Sequence, residues 1–432
     1  MKKIPTIAPF RGLRFNPEKV DLSRVMAPPY DVISPAGQEE LYARDPHNIV
    51  RLILGRQSPK DSPADNRYTR AARDLSRWTQ EGILAADTAP CFYLYEQNFS
   101  WEGKVLSRRG FMALRKLETF AEGKIRPHEK TLPGPKQDRL QLMQTCRANL
   151  SPIFSLYSDP DGKMAAPFAK HFQGKPEIDL LDEEKIRHRL WCINDQGLFY
   201  QADEILGNQR LFIADGHHRY ETAVNYREIV RKERGNLREA SSVNYVMMFF
   251  SEMSDPGLLI LPTHRVLTHR PGFDPKDFPN RLKEKFEVQT FSEKESFLNS
   301  LSDADGDRRA IGMILKGKFY LLGIPRSLSE TAHQVDTVVL HKNIFQELLG
   351  FQEEDHKNPA TLKFVKEADE AIAAADDPGT DAAFLLNSVP ISVLKEIAEV
   401  GIILPPKTTF FYPKLLTGLV INPLDPDRDV TV

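Results

Sequence analysis

Apolar residues follow two spacings along the chain, and their alternation predicts a protein that mixes strands and helices. Strands are predicted where β-branched, aliphatic and aromatic residues run together between turn residues. These runs are 49–55, 91–99, 108–117, 152–158, 210–215, 243–250 and 382–387. Helices are predicted where apolar residues recur every three or four positions or where start and stop signals frame a segment. These segments begin at 35 and lie at 67–81, 137–147, 220–235, 275–286, 340–349, 364–375 and 393–401.

One stretch, 208–250, predicts a strand, a sharp turn, a long helix and a buried strand, a βαβ-like unit. The turn has the sequence ADGHHR at 214–219. The first turn of a helix presents unpaired N–H groups and the positive end of the helix dipole. Gly216 allows close approach of a ligand, and His217, His218 and Arg219 add donors around a bound anion. Asp215 is either the helix cap or a carboxylate that faces ligand or metal.

Alternatives for this turn remain open at the level of sequence. Asp215 could only cap the helix while the histidines face solvent. A di-histidine metal site is disfavoured, because neighbouring helical residues point about 100° apart. A magnesium ion bound together with a nucleotide needs only one or two carboxylates.

Two further polar segments carry candidate acid–base residues. APPYD (27–31) places Asp31 after two stiff prolines, and RPHEKT (126–131) offers His128 and Glu129. Either carboxylate suits a general base. The alternatives are an ordinary tight turn and a solvated charged loop.

The segment PPKTTFFYPK (405–414) combines Lys407, Thr408, Thr409 and Lys414 with three aromatic residues. Cations and hydroxyls suit a phosphate group. We predict that this tail folds back, in cis or across a homodimer, with Lys407 facing the same cleft as Arg219. Alternatively, both lysines lie over apolar surface with their ammonium groups in water.

Composition, charge and the absence of several motifs exclude some classes of function. The chain has 432 residues and a net charge of −2 (58 − 60), so binding to DNA is not expected. Its three cysteines have no metal-site spacing, and no P-loop or G-x-G-x-x-G motif is present. No signal peptide or membrane-spanning run is evident, so we expect a cytoplasmic protein with no membrane partner. The length allows two or three domains. We place one at 1–260, with an insertion at about 90–200, and a second at 261–432.

The motifs PFRGLRF, APPYDVIS, NIVRLILG, RPHEKT, ADGHHRYETA and LPPKTTFFYPKLLTGLV, which span about 8–421, resemble the domain of unknown function 1015 family. More distantly, Asp215, Gly216, His217 and Arg219 resemble the D-G-H-x-R turn of free-serine kinases in the ParB/sulfiredoxin superfamily. This resemblance implies an α+β fold, with a ParB/sulfiredoxin-like nucleotide-binding core carrying a large insertion and a second α/β portion. It also implies ADP, ATP or CTP as the cofactor.

Two departures from that superfamily narrow the implied function. His217 stands where sulfiredoxin has its cysteine, and 261–432 shows no helix-turn-helix. We therefore expect a nucleotide-dependent phosphotransferase, kinase-like, or a nucleotide hydrolase acting on a small molecule, with Mg²⁺. The expected catalytic residues are Asp31, His128, Glu129 and Asp215, and the expected nucleotide-binding residues are Gly216, His217, His218, Arg219 and Lys407. The alternative is a nucleotide-binding regulatory switch without turnover.

Overall fold

A computed structural model describes residues 4–131, 133–304, 309–325, 335–352, 355–358 and 360–432. The chain divides into two compact units. Unit 1 comprises Met1–Pro127, Thr131–Leu259 and Pro413–Val432, and unit 2 comprises His128–Lys130 and Ile260–Tyr412. Both units combine helices with sheets, so the predicted mixed α/β class is confirmed. The predicted limits of the insertion stay a prediction.

Unit 1 contains most of the regular structure. Its strands are β1 Ile7–Ala8, β2 Leu13–Phe15, β3 Leu84–Ala86, β4 Phe92–Trp101, β5 Lys104–Lys116, β6 Ile125–Arg126, β7 Ala148–Asn149, β8 Ile153–Tyr157, β9 Ile178–Leu181, β10 Arg187–Ile193, β11 Leu211–Asp215, β12 Tyr245–Glu252 and β21 Asn422–Pro423. Its α-helices are α1 Leu22–Val25, α2 Pro35–Arg44, α3 Val50–Ile53, α4 Arg67–Gln80, α5 Pro133–Cys146, α6 Ala165–Ala169, α7 Gln196–Leu206 and α8 His217–Arg234. Short 3₁₀ turns lie at Tyr30–Val32, Phe120–Glu122, His171–Gln173 and Ser242–Asn244.

The main sheet of unit 1 has the order β6-β11-β8-β12-β5-β4-β10-β9, and β1 pairs with β5. The long hairpin β4–β5 forms its centre, as the two apolar runs predict. Its two-residue turn places Glu102 at φ 47° and Gly103 at φ 73°. Left-handed turn residues of this kind match the twist of the two strands.

Helix α8 joins β11 to β12, which confirms the predicted order of strand, turn, helix and strand. However, β11 runs antiparallel to β8 and β12 runs parallel to it. The strand β8 therefore lies between β11 and β12, which run in opposite directions. A βαβ unit needs two parallel strands, so the predicted βαβ-like unit is wrong. The turn before α8 lies at the end of β11, beside the start of β8.

The segment 49–55 is the clearest error in the predicted elements. Its apolar, β-branched sequence predicts a strand, but Val50–Ile53 forms a helical turn. The buried Asn48 fixes this turn: its Oδ1 accepts from the N–H of Val50 at 2.9 Å, and its Nδ2 donates to the carbonyls of Arg24 and Met26. Since these contacts come from distant residues, they override the local strand propensity.

The helix caps agree better with the sequence. Ser34 caps α2, its Oγ accepting from the N–H of Gly37, and Pro35 is the first helical residue. Asn66 forms a capping box with Thr69 at the start of α4. An apolar cluster packs α5, α7 and α8 against the sheet, with Phe92, Phe111 and Phe250 among its buried residues.

Unit 2 is built on a six-stranded sheet with the order β15-β17-β16-β19-β14-β18 in the residues that the structure describes. Its strands are β13 Leu259–Leu261, β14 His264–Thr268, β15 Glu287–Phe291, β16 Ala310–Leu315, β17 Lys318–Gly323, β18 Leu362–Val365, β19 Thr380–Leu385 and β20 Phe410–Tyr412. Its helices are α9 Phe278–Leu282, α10 Lys294–Ser302, α11 Asp336–Val339, α12 Ala368–Ala374 and α13 Ile391–Glu399, with a π-helix at Leu340–Leu348 and a 3₁₀ turn at Asp355–Lys357. The helix expected at 364–375 is only partly correct, because its first residues belong to β18.

Within the described ranges, no helix is long and apolar enough to cross a membrane.

Candidate functional site

The predicted site residues form two groups, one in each compact unit. Unit 1 holds Asp31, Asp215, Gly216, His217, His218 and Arg219, and unit 2 holds His128, Glu129 and Lys407.

The first group is built on the turn between β11 and α8. Asp215 is the last residue of the strand, and the helix begins at His217. Between them Gly216 adopts φ 95°, a left-handed conformation that strains a residue with a side chain. A Cβ at this position would lie 3.0 Å from atoms of the Arg219 guanidinium. Glycine therefore allows both the reversal of the chain and the close approach of Arg219.

The Asp215 carboxylate pairs with two cations. Lys414 places its Nζ 2.6 Å from Asp215 Oδ1, and Arg219 donates through Nη2 to Asp215 Oδ2. Arg219 also donates through Nη1 to the carbonyl of Pro152. The three charged side chains are only 13–16% exposed, so water screens their charges weakly. The turn therefore places two cations beside one carboxylate.

A third cation, Arg108, lies buried near this group. Its side chain is fully buried and donates to Gln97 and to the carbonyl of Pro413. Burial lowers the pKa of the Arg108 guanidinium to about 10, and the charge of Asp215 is among those that oppose this shift. Gln97 also donates to the carbonyl of Lys414 at 2.9 Å. Arg108 and Gln97 therefore hold the chain that presents Lys414.

Tyr30 and Asp31 form a short 3₁₀ turn in the same unit. The Tyr30 ring lies 3.9 Å beneath the guanidinium carbon of Arg139. Burial raises the pKa of Tyr30 to about 12; the charges of Asp31 and Asp215 add to the shift, while Arg139 and Arg219 oppose it. These five residues therefore interact electrostatically, with a protonated phenol at neutral pH. Asp31 itself is exposed.

The two histidines of the turn have different surroundings. His217 is 6% exposed, whereas His218 is partly exposed. Solvated histidines, the simpler alternative for this motif, therefore do not describe His217. Among the residues that the structure describes, no group of three or more His, Cys, Asp or Glu side chains is placed to hold a metal.

Two cavities adjoin this group in unit 1. The larger, about 460 Å³, is lined by Lys414, the start of α2, and polar and apolar residues of the segments 23–44 and 180–186. The smaller, about 40 Å³, lies beside α8 and is lined by Arg219, Tyr30 and Arg139 among others. Lys414 thus touches both Asp215 and the larger cavity.

The second group holds a turn of unit 2 together. Glu129 Oε1 accepts from the N–H groups of Thr408 and Thr409 at 3.1 Å each and from the Thr409 hydroxyl at 3.2 Å. His128, 1% exposed, bonds through Nε2 to the same hydroxyl at 2.8 Å. Arg265 donates to the carbonyl of Lys407 at 2.9 Å. This pattern anchors the 407–409 segment, and the catalytic roles predicted for Glu129 and His128 stay a prediction.

The structure thus brings Asp215, Gly216 and Arg219 together, and Tyr30 relates Asp31 to them electrostatically. The placement of Lys407 in the same cleft stays a prediction. The main residue that the sequence-based site omits is Lys414. Its signal was present, because it is the second lysine of the tail segment, but no local feature distinguishes it from Lys407.

The comparisons with known proteins identify a family. Residues 7–343 match the family described as "Protein of unknown function (DUF1015)". The chain belongs to this family. The family predicted from the motifs is therefore confirmed. Comparison with curated proteins gives no match.

Several solved structures show weak similarity. A conserved hypothetical protein from Pyrococcus furiosus has 14% identity and a TM-score of 0.34, covering 68% of this chain and 89% of that chain. A free serine kinase in complex with AMP has 13% identity and a TM-score of 0.35, with coverage of 71% and 88%. SbnI from Staphylococcus aureus, truncated at its C-terminus, has 12% identity and a TM-score of 0.35, with coverage of 69% and 83%. At such TM-scores these likenesses establish no function for this chain.

Proposed function

We propose that this protein binds a nucleotide with its phosphates at the Asp215–Arg219 turn and transfers a phosphoryl group to a small molecule. Water as the acceptor would make the same site a nucleotide hydrolase. The ParB/sulfiredoxin-like interpretation of unit 1 is part of this proposal, with ADP, ATP or CTP as the nucleotide.

The observation that carries the proposal is the pairing of Asp215 with both Lys414 and Arg219 at the start of α8. A helix start attracts anions through its dipole and its N–H groups. Lys414 and Arg219 place two charged donors beside the helix start, and such donors form the strong hydrogen bonds that phosphate groups accept. Phosphoryl transfer depends mainly on positioning and on charge neutralisation, which such a cluster supplies.

The larger cavity is the natural place for the acceptor. Its volume of about 460 Å³ suits a small molecule, and Lys414 reaches from its wall to Asp215. An acceptor bound there would lie on one side of the Lys414 ammonium and the phosphates on the other. Lys414 would then neutralise charge on the transferred group.

Asp31 is the better supported general base. A phenol is protonated at neutral pH, and burial raises the pKa of Tyr30 further, to about 12, so Tyr30 can donate a hydrogen bond but cannot accept the proton. Glu129 is engaged in three hydrogen bonds within unit 2. In the proposed step the acceptor hydroxyl attacks phosphorus, its proton passes to the Asp31 carboxylate, and the bond to the bridging oxygen of the nucleotide breaks.

A magnesium ion would bind mainly through the nucleotide's phosphate oxygens. Neither carboxylate is assigned to the ion, because Asp31 is the proposed base and both oxygens of Asp215 already pair with cations. Mg²⁺ supplies neutralisation of phosphate charge.

The test is incubation of the protein with ADP, ATP or CTP, Mg²⁺ and a panel of small alcohols. Nucleotides are separated by chromatography, and binding is measured by calorimetry. Conversion of one nucleotide supports an enzymatic function. Phosphate found on the acceptor indicates a phosphotransferase, and phosphate found in solution indicates a hydrolase. Tight binding without conversion supports the regulatory switch instead. Absence of any nucleotide binding contradicts the proposed function.

A further inference from the structure

The smaller cavity of unit 1 is lined by two residues with buried polar atoms that nothing in the described structure satisfies. Thr222 is 0% exposed and Asn149 is 3% exposed, and both line this cavity. Among the described residues, neither Thr222 Oγ1 nor Asn149 Nδ2 has a hydrogen-bond partner. Buried polar groups without partners are rare in folded proteins, so two in one cavity indicate a missing ligand group or water.

The orientation of Asn149 is fixed by its other atom. Its Oδ1 accepts from the N–H of Met247 at 3.1 Å and from the amide of Asn422 at 2.9 Å. The Nδ2 group therefore cannot exchange places with the oxygen without losing both bonds. Asn149, which lines the cavity, therefore keeps its Nδ2 as a donor without a partner among the described residues.

Thr222 connects the cavity with the phosphate turn. It lies three residues after Arg219 on α8, so the two side chains share one face of the helix. Both line the cavity. A ligand whose charged part lies at the helix start would therefore extend along this face toward the Thr222 hydroxyl.

The other residues that line the cavity indicate which kind of ligand group fits there. Ile53, Leu142, Leu150, Ile153 and Val246 give it an apolar surface. The stacked pair of Tyr30 and Arg139 adds a planar surface. The volume of about 40 Å³ holds about three waters, or the edge of a flat ring. Apolar walls with a donor and a hydroxyl suit the polar edge of a heteroaromatic ring better than a second phosphate.

We propose that this cavity recognises the base of the bound nucleotide. The Asn149 amide donates to a ring nitrogen or carbonyl of the base, and the Thr222 hydroxyl bonds the neighbouring polar atom. The inference rests on the proposed nucleotide site, and it adds the residues that distinguish one base from another.

The experiment compares wild type, Thr222→Val and Thr222→Ser by calorimetric titration with ATP, GTP, CTP, UTP and inorganic tripolyphosphate. Valine keeps the shape of threonine and removes the hydroxyl, whereas serine keeps the hydroxyl. Thr145→Val is the matched control, because Thr145 is also helical and its hydroxyl already bonds the carbonyl of Gln141 at 2.7 Å.

We expect the wild type to prefer one base and Thr222→Val to bind that nucleotide about 3–10-fold more weakly, the range for one neutral hydrogen bond. Thr222→Ser should restore the preference, and tripolyphosphate should bind all variants equally. If Thr222→Val keeps the wild-type preference, or if the wild type binds all four bases equally, base recognition here is wrong while the phosphate site stands. If the wild type binds neither nucleotides nor tripolyphosphate, the proposed function itself fails.

Discussion

Asp215 in unit 1 and Glu129 in unit 2 are both partly buried carboxylates in motifs that the sequence marks as functional, yet they have opposite kinds of partner. Asp215 pairs with the cationic side chains of Lys414 and Arg219. Glu129 accepts from two backbone N–H groups and one hydroxyl. The first set of partners consists of side chains, whereas two of the three donors in the second set belong to the backbone.

In the proposed function, this difference separates a site whose cations exchange a carboxylate for a phosphate from a carboxylate that anchors a turn. Cationic side chains released from a carboxylate can bind a phosphate with little movement of the backbone. Backbone donors of Thr408 and Thr409 lose their hydrogen bonds if Glu129 leaves, and the turn opens. A polar motif in the sequence is therefore not sufficient evidence of chemistry, because the nature of its partners decides what it does.

The largest expected effect concerns the proposed general base, Asp31. Asp31→Asn should lower nucleotide turnover about 10²–10⁴-fold, since an amide cannot accept the proton. Glu129→Gln should leave turnover nearly unchanged, because its hydrogen bonds to residues 408–409 serve the fold. Initial rates at saturating nucleotide measure both. Equal loss in the two variants would contradict the distinction between the carboxylates.

The next effect concerns the exchangeable cations. Arg219→Ala should weaken nucleotide binding by about 1.5–3 kcal/mol, or about 10–150-fold, the range for a charge-assisted hydrogen bond. Arg231→Ala is the control on the same helix, where the side chain is exposed and pairs only with Glu228 among the described residues. Calorimetric titration gives both dissociation constants. Wild-type affinity in Arg219→Ala would remove Arg219 from the anion site.

Removal of the Glu129 carboxylate should lower the free energy of unfolding of unit 2. Glu129→Ala leaves the N–H groups of Thr408 and Thr409 and the Thr409 hydroxyl without this acceptor, and we expect a loss of about 1–3 kcal/mol. Amide hydrogen exchange in unit 2 measures it, with Glu399→Ala, an exposed glutamate at the end of α13, as the control. Nucleotide affinity should not change. A variant as stable as wild type but unable to bind nucleotide would reverse the roles assigned to the two carboxylates.

The smallest effect depends on pH. Burial lowers the pKa of His264 to about 4, with a contribution from the charge of Arg265. Because the unfolded chain binds this proton with a pKa near 6.5, stability is full above that pH and falls as the pH drops toward 4. Between pH 7.5 and 5.5 this histidine should remove about 1.3 kcal/mol of stability.

Denaturant unfolding at the two pH values tests this dependence. His264→Asn is the matched variant, because an amide oxygen can replace Nδ1 as the acceptor for the N–H of Leu386. The variant should lose part of the acid dependence. An unchanged pH profile would mean that His264 is not held neutral by the fold.

The elements of unit 1 were predictable where a short segment decides its own conformation. The hairpin β4–β5, the capped helix α2 and the turn before α8 all follow from nearest neighbours, because glycine, proline and capping residues act over a few positions. The segment 49–55 was not predictable, because Asn48 takes its partners from the carbonyls of Arg24 and Met26. The direction of β12 relative to β11 depends on β8, which lies between them.

The candidate site also has features that the local sequence sets and features that only tertiary packing sets. The sequence alone determined the strand that ends at Asp215, the left-handed Gly216 and the helical spacing that brings Arg219 back to Asp215. Only the tertiary structure decided that Lys414, 199 residues away, pairs with this aspartate and that Glu129 anchors a turn 279 residues downstream. A glycine turn and an i,i+4 pair are set by local dihedral angles. The partner of a charged side chain is set by packing of the whole unit, which no local pattern encodes.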